Sequence, residues 1–192
     1  MKRVEIIEKK RLLDGFFKVD EAELRFERFD GTMSPTVRRL CLERGDSAAA
    51  ILLDRERKKV ILVSQFKYPT YEKGSGWLVE TVAGAIDAHE EPAEAMKREI
   101  QEETGYAPTA LEHISTFYVT PGGSSERIFL YYAEVNAGSR ESGGGLEAEH
   151  EDIEVLEFAP EELFTKLEQG EIVDAKTIIG IMWLRRRLEG RS

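Results

Sequence analysis

Residues 84–106 read GAIDAHEEPAEAMKREIQEETGY, and this stretch decides how the rest of the chain is interpreted. It is dense in acid, with seven Asp or Glu residues between Asp87 and Glu103. Pro92 suits the first turn of a helix and Gly105 suits its C-terminal cap. The sequence therefore predicts an acidic helix between these two residues.

The pitch of that helix, about 100° per residue, sorts its side chains into two neighbouring stripes. One stripe is apolar and should face a sheet: Ala93, Met96 and Ile100. The stripe beside it carries carboxylates: Glu99, Glu102 and Glu103. Like charges about 4 Å apart repel by roughly 4 kcal/mol at an effective dielectric near 20, so the cluster needs a counter-charge. A divalent metal ion could supply that charge, and a set of oxygen ligands favours Mg²⁺ or Mn²⁺. The alternative to a metal site is an ordinary solvated helix face that carries Glu and Lys.

Length and composition limit the class of protein. The chain has 192 residues, which suits one globular domain with a small extension. Its formal charge of −10 argues against binding nucleic acid or an anionic membrane through a general basic surface. Cys41 is the single cysteine, so we expect a buried, inert thiol and a reducing, cytoplasmic setting.

Two regions differ in their hydrophobic pattern. Residues 1–43 alternate apolar and charged residues and predict a small N-terminal β extension that cannot form a core by itself. Residues 44–192 contain nearly continuous apolar runs, such as AAAILLD and KVILVSQF, which predict buried strands. WLVETVAGA, residues 77–85, reads as one further strand. Helical patterns lie between and after the strands, so we predict an α/β fold with a mixed sheet and helices on both faces.

The spacing of the acidic stretch matches a known motif. Gly84 and Glu90 are followed by the run Arg98 to Gly105, and every fixed position of the pattern G-x5-E-x7-R-E-U-x-E-E-x-G-U is present. Only Tyr106 departs from the aliphatic residue usual at the last position. The chain therefore resembles the Nudix hydrolases, which cleave nucleoside diphosphates linked to another moiety. The resemblance implies a Nudix-type α/β/α sandwich.

The resemblance also implies roles within this motif, here called the box. Glu99 and Glu103 would bind divalent metal, with Glu102 as a further ligand close to the reacting atoms and the carbonyl of Ala83 as a backbone ligand. Four box residues have structural roles: Gly84, Glu90, Arg98 and Gly105. Gly84 should permit a tight exit from the preceding strand. Arg98 should hold a box carboxylate, Glu90, in a bidentate pair.

Segments outside the box resemble the branch of the family that acts on nucleoside diphosphate sugars, including ADP-ribose and GDP-mannose diphosphatases. In that branch a loop acid activates the attacking water, and the candidates are Glu149, the favoured base, and Glu151, a metal ligand or alternative base. Arg44, Lys67 and Arg127 are the candidate substrate-binding cations. The branch also implies a homodimer formed with the help of the N-terminal strands.

The resemblance makes Mg²⁺- or Mn²⁺-dependent hydrolysis of ADP-ribose to AMP and ribose 5-phosphate the first expectation. GDP-mannose is the close alternative substrate. A module that binds a nucleotide sugar without cleaving it is the alternative from another class, although such modules lose box carboxylates that this chain keeps. Hydrolysis of oxidised nucleoside triphosphates or RNA decapping is a third alternative, and the acidic surface argues against RNA.

Overall fold

The computed structural model describes residues 1–108, 110–136, 138, 143–145 and 151–190. The chain divides into two compact units, Met1–Asp46 with Tyr118–Arg127, and Ser47–Phe117 with Ile128–Ser192. The elements, in chain order, are β1 (Val4–Asp14), β2 (Lys18–Phe26), β3 (Val37–Glu43), β4 (Ser47–Asp54), β5 (Lys59–Phe66), α1 (Tyr68–Tyr71), β6 (Trp77–Glu80), β7 (Val82–Ala85), α2 (Pro92–Thr104), β8 (Leu111–Tyr118), β9 (Arg127–Val135), β10 (Glu154–Phe158), α3 (Pro160–Glu168) and α4 (Ala175–Leu188).

The first unit is built on a three-stranded antiparallel sheet with the order β1-β2-β3. Every residue of β1 is exposed. Among the described residues, all the fully buried apolar side chains belong to the second unit. The alternation of charged and apolar residues explains why this segment forms regular strands. Three strands that bury so few apolar side chains do not form a hydrophobic core.

The second unit contains a seven-stranded mixed sheet. Its main path runs β10-β5-β4-β9-β8, with β6 added on β5 and β7 on β4. The pair β4–β9 is parallel, whereas β4 is antiparallel to both β5 and β7. All eight residues of β4 are buried, which fits its run of apolar residues at the centre of the sheet.

Helices cover both faces of this sheet. Successive side chains of β4 point to opposite faces, so its residues divide between two apolar clusters. One cluster packs α2 on the sheet and contains Ala48, Ala50, Leu52, Met96 and Ile100. The other packs α3 and α4 and contains Ile51, Leu53, Leu163, Ile181 and Leu184. The predicted α/β/α arrangement with a mixed sheet is confirmed.

Two expectations about local structure are wrong. WLVETVAGA is two strands, because the chain changes partner from β5 to β4 at Thr81. The backbone N–H of Thr81 donates to the hydroxyl of Thr177 on α4 at 2.8 Å, so the strand is interrupted there. Cys41 is half-buried instead of buried. Within the described residues, no helix combines the length and the hydrophobicity needed to span a membrane.

Candidate active site

Helix α2 presents the box carboxylates from one side. Glu91 is its N-cap, Pro92 occupies the first turn, and Gly105 ends it in the left-handed conformation. Glu103 is only 2% exposed. It lies in line with Met96 and Ile100, at helical spacings of seven and three residues, so its carboxylate belongs to the buried face. The expectation that Glu103 lies one stripe away from these apolar residues is therefore wrong.

Arg98 is the centre of the ionic contacts on α2. Its Nε and Nη2 each lie 3.2 Å from an oxygen of Glu90, so the bidentate pair is present. Its Nη1 donates to Glu99 at 2.7 Å and to Glu102 at 3.0 Å. The hydrogen bond from Arg98 holds the pKa of the Glu90 carboxyl below its usual range. Burial raises the pKa of Glu99 against the opposing effect of Arg98. One guanidinium thus supplies the counter-charge for three carboxylates.

Gly84 provides the space in which the Glu99 carboxylate lies. A Cβ added at Gly84 would sit 1.9 Å from Cδ of Glu99 and 2.0 Å from its Oε1. Gly84 stands inside β7, so it does not form the tight exit from a strand that the sequence predicted. The close approach places the Glu99 carboxylate against the backbone of β7 at Gly84. Any larger residue at position 84 would push this carboxylate away.

The described part of the Gly-rich segment, residues 143–145, contacts both the end of α2 and the side chain of Glu151. The N–H of Gly144 donates to the carbonyl of Glu103 at 2.9 Å, and the N–H of Gly145 donates to that of Glu102 at 3.2 Å. A Cβ added at Gly145 would lie 2.9 Å from Oε2 of Glu151, so this side chain packs on the same segment. The negative charge of Glu151 contributes to the raised pKa values of Glu99 and Glu103. Glu149 lies outside the described residues.

Glu103 has the environment of a metal ligand. Burial, followed by the charges of Glu99 and Glu80, raises its pKa to about 8, and Lys67 acts in the opposite direction. Its Oε2 is buried and, within the described chain, accepts no hydrogen bond. No three acids, His or Cys among the described residues are already arranged around a metal position. The orphaned oxygen of Glu103 and the nearby carboxylates of Glu99 and Glu102 nevertheless offer the oxygen ligands that Mg²⁺ or Mn²⁺ prefers, and an ion would have to replace Arg98 on Glu99 and Glu102.

The three predicted substrate-binding cations have different surroundings. Lys67 lies in the second unit, where its Nζ is 3.6 Å from Oε1 of Glu80. Arg44 and Arg127 lie in the first unit. Arg44 pairs with Glu126 at 3.4 Å, and Arg127 donates from Nε to Asp46 at 3.2 Å. Within the second unit, the positive charge of Lys67 acts on Glu103 and opposes the rise of its pKa.

Glu80, at the end of β6, is a buried acid near the site that the sequence patterns did not single out. Glu80 is 4% exposed and makes an ion pair with Lys176 of α4. Lys176 also lies 3.0 Å from Asp174. An acid inside an apolar strand is a sequence signal that could have marked Glu80. Its partner Lys176 lies 96 residues away, and no local pattern points to that pairing.

Comparisons with known proteins agree with this geometry. The sequence model of the NUDIX domain matches residues 43–179. The chain belongs to the Nudix family. This Nudix protein is 38% identical to the GDP-mannose pyrophosphatase of Cronobacter sakazakii over 186 residues, 96% of each chain. It is 36% identical to the ADP-ribose pyrophosphatase of Escherichia coli K12 over 183 residues, 95% of this chain and 88% of that protein.

The crystal structure of a protein described as an ADP compounds hydrolase has the same fold. The two superpose with a TM-score of 0.74 at 17% sequence identity, over 99% of this chain and 97% of the other. At this identity the likeness establishes the fold alone. It agrees with the mixed sheet and the helices on both faces described above.

Proposed function

We propose that this Nudix protein hydrolyses the diphosphate bond of a nucleoside diphosphate sugar in the presence of Mg²⁺, or of Mn²⁺ in its place. ADP-ribose is the first choice of substrate, and its products would be AMP and ribose 5-phosphate. The observation that carries the proposal is the carboxylate cluster of α2, where Glu99 and Glu102 share Arg98 and Glu103 is buried with an orphaned oxygen. The relatives of similar length supply the substrate class.

The reaction needs a base for the attacking water. Water adds to one phosphorus, the bond between that phosphorus and the bridging oxygen breaks, and the base takes the water proton. Glu149 is the proposed base, with Glu151 as a metal ligand or the alternative base and Glu102 close by. Bound ions would neutralise the diphosphate and lower the pKa of water; their ligands would be Ala83, Glu99, Glu102, Glu103 and Glu151.

Cations of this chain would bind the phosphates and the outer sugar. Lys67 is proposed first, because it lies within the electrostatic reach of Glu103 in the same unit. Arg44 and Arg127 are proposed as further contacts, although each now pairs with an acid of the first unit. Binding of an anion would have to compete with these pairs, which are partly exposed and therefore worth little.

The second candidate substrate is GDP-mannose, which would give GMP and mannose 1-phosphate. The GDP-mannose pyrophosphatase of Cronobacter sakazakii, which covers 96% of this chain, favours it. A non-catalytic nucleotide-sugar-binding module is the remaining alternative. The complete set of box carboxylates argues against that module.

Turnover of ADP-ribose and GDP-mannose at matched concentration with Mg²⁺ separates these possibilities. We expect faster release of phosphomonoester from ADP-ribose, with no release after addition of EDTA and at least about 10²-fold slower release in Glu103→Gln. A clear preference for GDP-mannose would reject the first substrate. Binding of either nucleotide sugar without any metal-dependent release would support the module.

Glu149→Gln and Glu151→Gln test the assignment of the base. Loss of the base should lower the rate and leave the Mg²⁺ concentration for half-maximal activity unchanged, whereas loss of a ligand should change both. Two fully active variants would place the base elsewhere.

We propose that the N-terminal β extension, residues 1–43, serves as a dimerisation element for the Nudix domain, residues 44–192. The support is β1, which is exposed along its length and carries Val4, Ile6 and Leu13 at more than half of their free exposure. Ile6→Lys should shift the mass measured by light scattering toward that of a monomer. Wild-type protein that is monomeric at micromolar concentration would refute this proposal.

We also propose a cytoplasmic location, without nucleic acid or a membrane as partner. The support is one cysteine in the sequence and a formal charge of −10. Fractionation of cells that express the tagged chain tests the location.

A further inference from the structure

A buried polar network ties the start of α4 to the junction between β6 and β7. Asp174 caps α4, and its Oδ2 accepts hydrogen bonds from the N–H of Thr177 at 2.9 Å and from its hydroxyl at 2.6 Å. The same hydroxyl accepts from the N–H of Thr81. Because Thr81 follows Glu80 directly, the network fixes the backbone on which Glu80 stands.

Two lysines lie near the carboxylate of Glu80, Lys176 at one oxygen and Lys67 at the other. The ammonium of Lys176 forms an ion pair with Oε2, and the Lys176 side chain is 14% exposed. Lys67 is 39% exposed, and its Nζ lies 3.6 Å from Oε1. That distance exceeds the range of a charge-assisted hydrogen bond. In the described chain Oε1 is buried without a hydrogen-bond donor. Glu80 is therefore held tightly by the buried lysine and loosely by the exposed one.

A buried carboxylate needs at least one close cation, because an unpaired buried charge is strongly unfavourable. If Lys176 were neutral, Lys67 would be the cation left beside Glu80 and would be drawn onto Oε1. The Lys67 ammonium would then donate its hydrogen bonds to Glu80 and not to a ligand. The two lysines thus compete for one carboxylate, and the outcome decides whether Lys67 can reach a ligand.

We propose that Lys176 is a positioning residue that occupies Glu80 and so leaves the Lys67 ammonium available for a phosphate of the substrate. This inference rests on the proposed function, in which Lys67 contacts the phosphates. It assigns a role in substrate binding to a side chain of the last helix that does not itself touch the substrate.

The test is a set of variants built on Lys176→Met and assayed with the better of ADP-ribose and GDP-mannose. We expect Lys176→Met to raise KM about tenfold, the effect of one charge-assisted hydrogen bond, and to change kcat much less. Glu80→Gln added to Lys176→Met should return KM to the value of Glu80→Gln alone. In a Lys67→Met background, Lys176→Met should add no further increase.

Three outcomes would overturn the proposal. These are an unchanged KM in Lys176→Met, a KM increase that Glu80→Gln does not reverse, and an increase of the same size in the Lys67→Met background. If Lys176→Met does not fold, the double variant can still refute the role, because the buried Glu80 carboxylate that Lys176 neutralises is absent from it. A KM that differs between this double variant and Glu80→Gln alone would refute the role.

Calorimetric binding of ADP-ribose and GDP-mannose separates this inference from the proposed function. The titrations use Ca²⁺, which takes oxygen ligands but does not keep the strict octahedral geometry of Mg²⁺. The dissociation constants should follow the same pattern as KM. Wild-type protein that binds a nucleotide sugar with Ca²⁺ and never cleaves it with Mg²⁺ would reject hydrolysis, while the dissociation constants of the variants would still decide the role of Lys176. Failure to bind either nucleotide sugar would overturn both.

Discussion

Replacing Glu103 with Gln should have opposite effects on stability and on catalysis. Glu103 is 2% exposed, and burial together with Glu99 and Glu80 raises its pKa from 4.5 to about 8. Ionising it in the folded, metal-free protein therefore costs up to about 5 kcal/mol more than ionising it in the unfolded chain. Gln keeps the shape of the side chain and removes this cost.

The sign of the pH dependence follows from the order of the two pKa values. Between pH 4.5 and about 8 the folded protein retains a proton on Glu103 that the unfolded chain has released. The contribution of Glu103 to the wild-type free energy of unfolding therefore falls as pH rises through this window, and it remains unfavourable above it. The stabilisation by Glu103→Gln should grow from almost nothing at low pH to at most about 5 kcal/mol at alkaline pH.

Urea unfolding in EDTA, at about pH 4.5 and about pH 8.5, measures this difference. Glu94→Gln is the matched control, because Glu94 lies on the same helix with a side chain that is 63% exposed and pairs with Lys97. The control should change stability little at either pH. A Glu103→Gln protein that is less stable than wild type at alkaline pH, or whose gain does not depend on pH, would refute the reasoning.

The same variant should lose catalysis when Mg²⁺ is present. Removing a metal ligand, and with it the activated water, should lower kcat at least about 10²-fold. Mg²⁺ should also raise the melting temperature of the wild type more than that of the variant. A near-wild-type rate would show that Glu103 is not a ligand.

Three further predictions concern residues around the box. Gly84→Ala places a methyl group where the Glu99 carboxylate now lies, so kcat should fall about 10²-fold. The circular dichroism spectrum should stay unchanged, and an unchanged kcat would refute this prediction. Arg98→Met removes the counter-charge of three carboxylates, so urea unfolding in EDTA should show a free energy of unfolding lower by about 1–3 kcal/mol. Mg²⁺ should restore part of this stability, and a loss that Mg²⁺ leaves unchanged would contradict the prediction. Thr177→Val leaves the N–H of Thr81 unpaired and should cost about 1–3 kcal/mol, whereas Thr177→Ser, which keeps the hydroxyl, should cost much less.

Helix α2 was predictable because its determinants are local. Pro92 and Gly105 mark its ends, and the spacing of Met96 and Ile100 marks its buried face. The apolar run of β4 likewise marks a strand buried on both sides. For these elements the neighbours in sequence carry enough information to decide the secondary structure and its burial.

The features that the sequence did not reveal depend on contacts between distant segments. Gly84 is required by a carboxylate fifteen positions further on, not by the backbone conformation of its own strand. The break at Thr81 depends on a hydroxyl of α4, 96 residues away. Glu80 is stable inside an apolar strand because Lys176, also 96 residues away, neutralises it. No periodicity within a window of the sequence can encode such pairs.

The charge arrangement also bears on how an acidic protein would bind the anionic substrate proposed above. Around α2, Glu90, Glu99 and Glu102 share one guanidinium, and Oε2 of the buried Glu103 has no hydrogen-bond donor within the described chain. Glu103 keeps its proton at neutral pH, but the three carboxylates around Arg98 outnumber its single positive charge. The metal-free site is thus negative, and a diphosphate alone should be repelled from it. Two or three divalent ions would reverse that sign, since each adds two positive charges. Substrate affinity should therefore depend on a divalent ion even in a variant that cannot catalyse, and metal-independent binding of the diphosphate would mean that it binds away from these carboxylates.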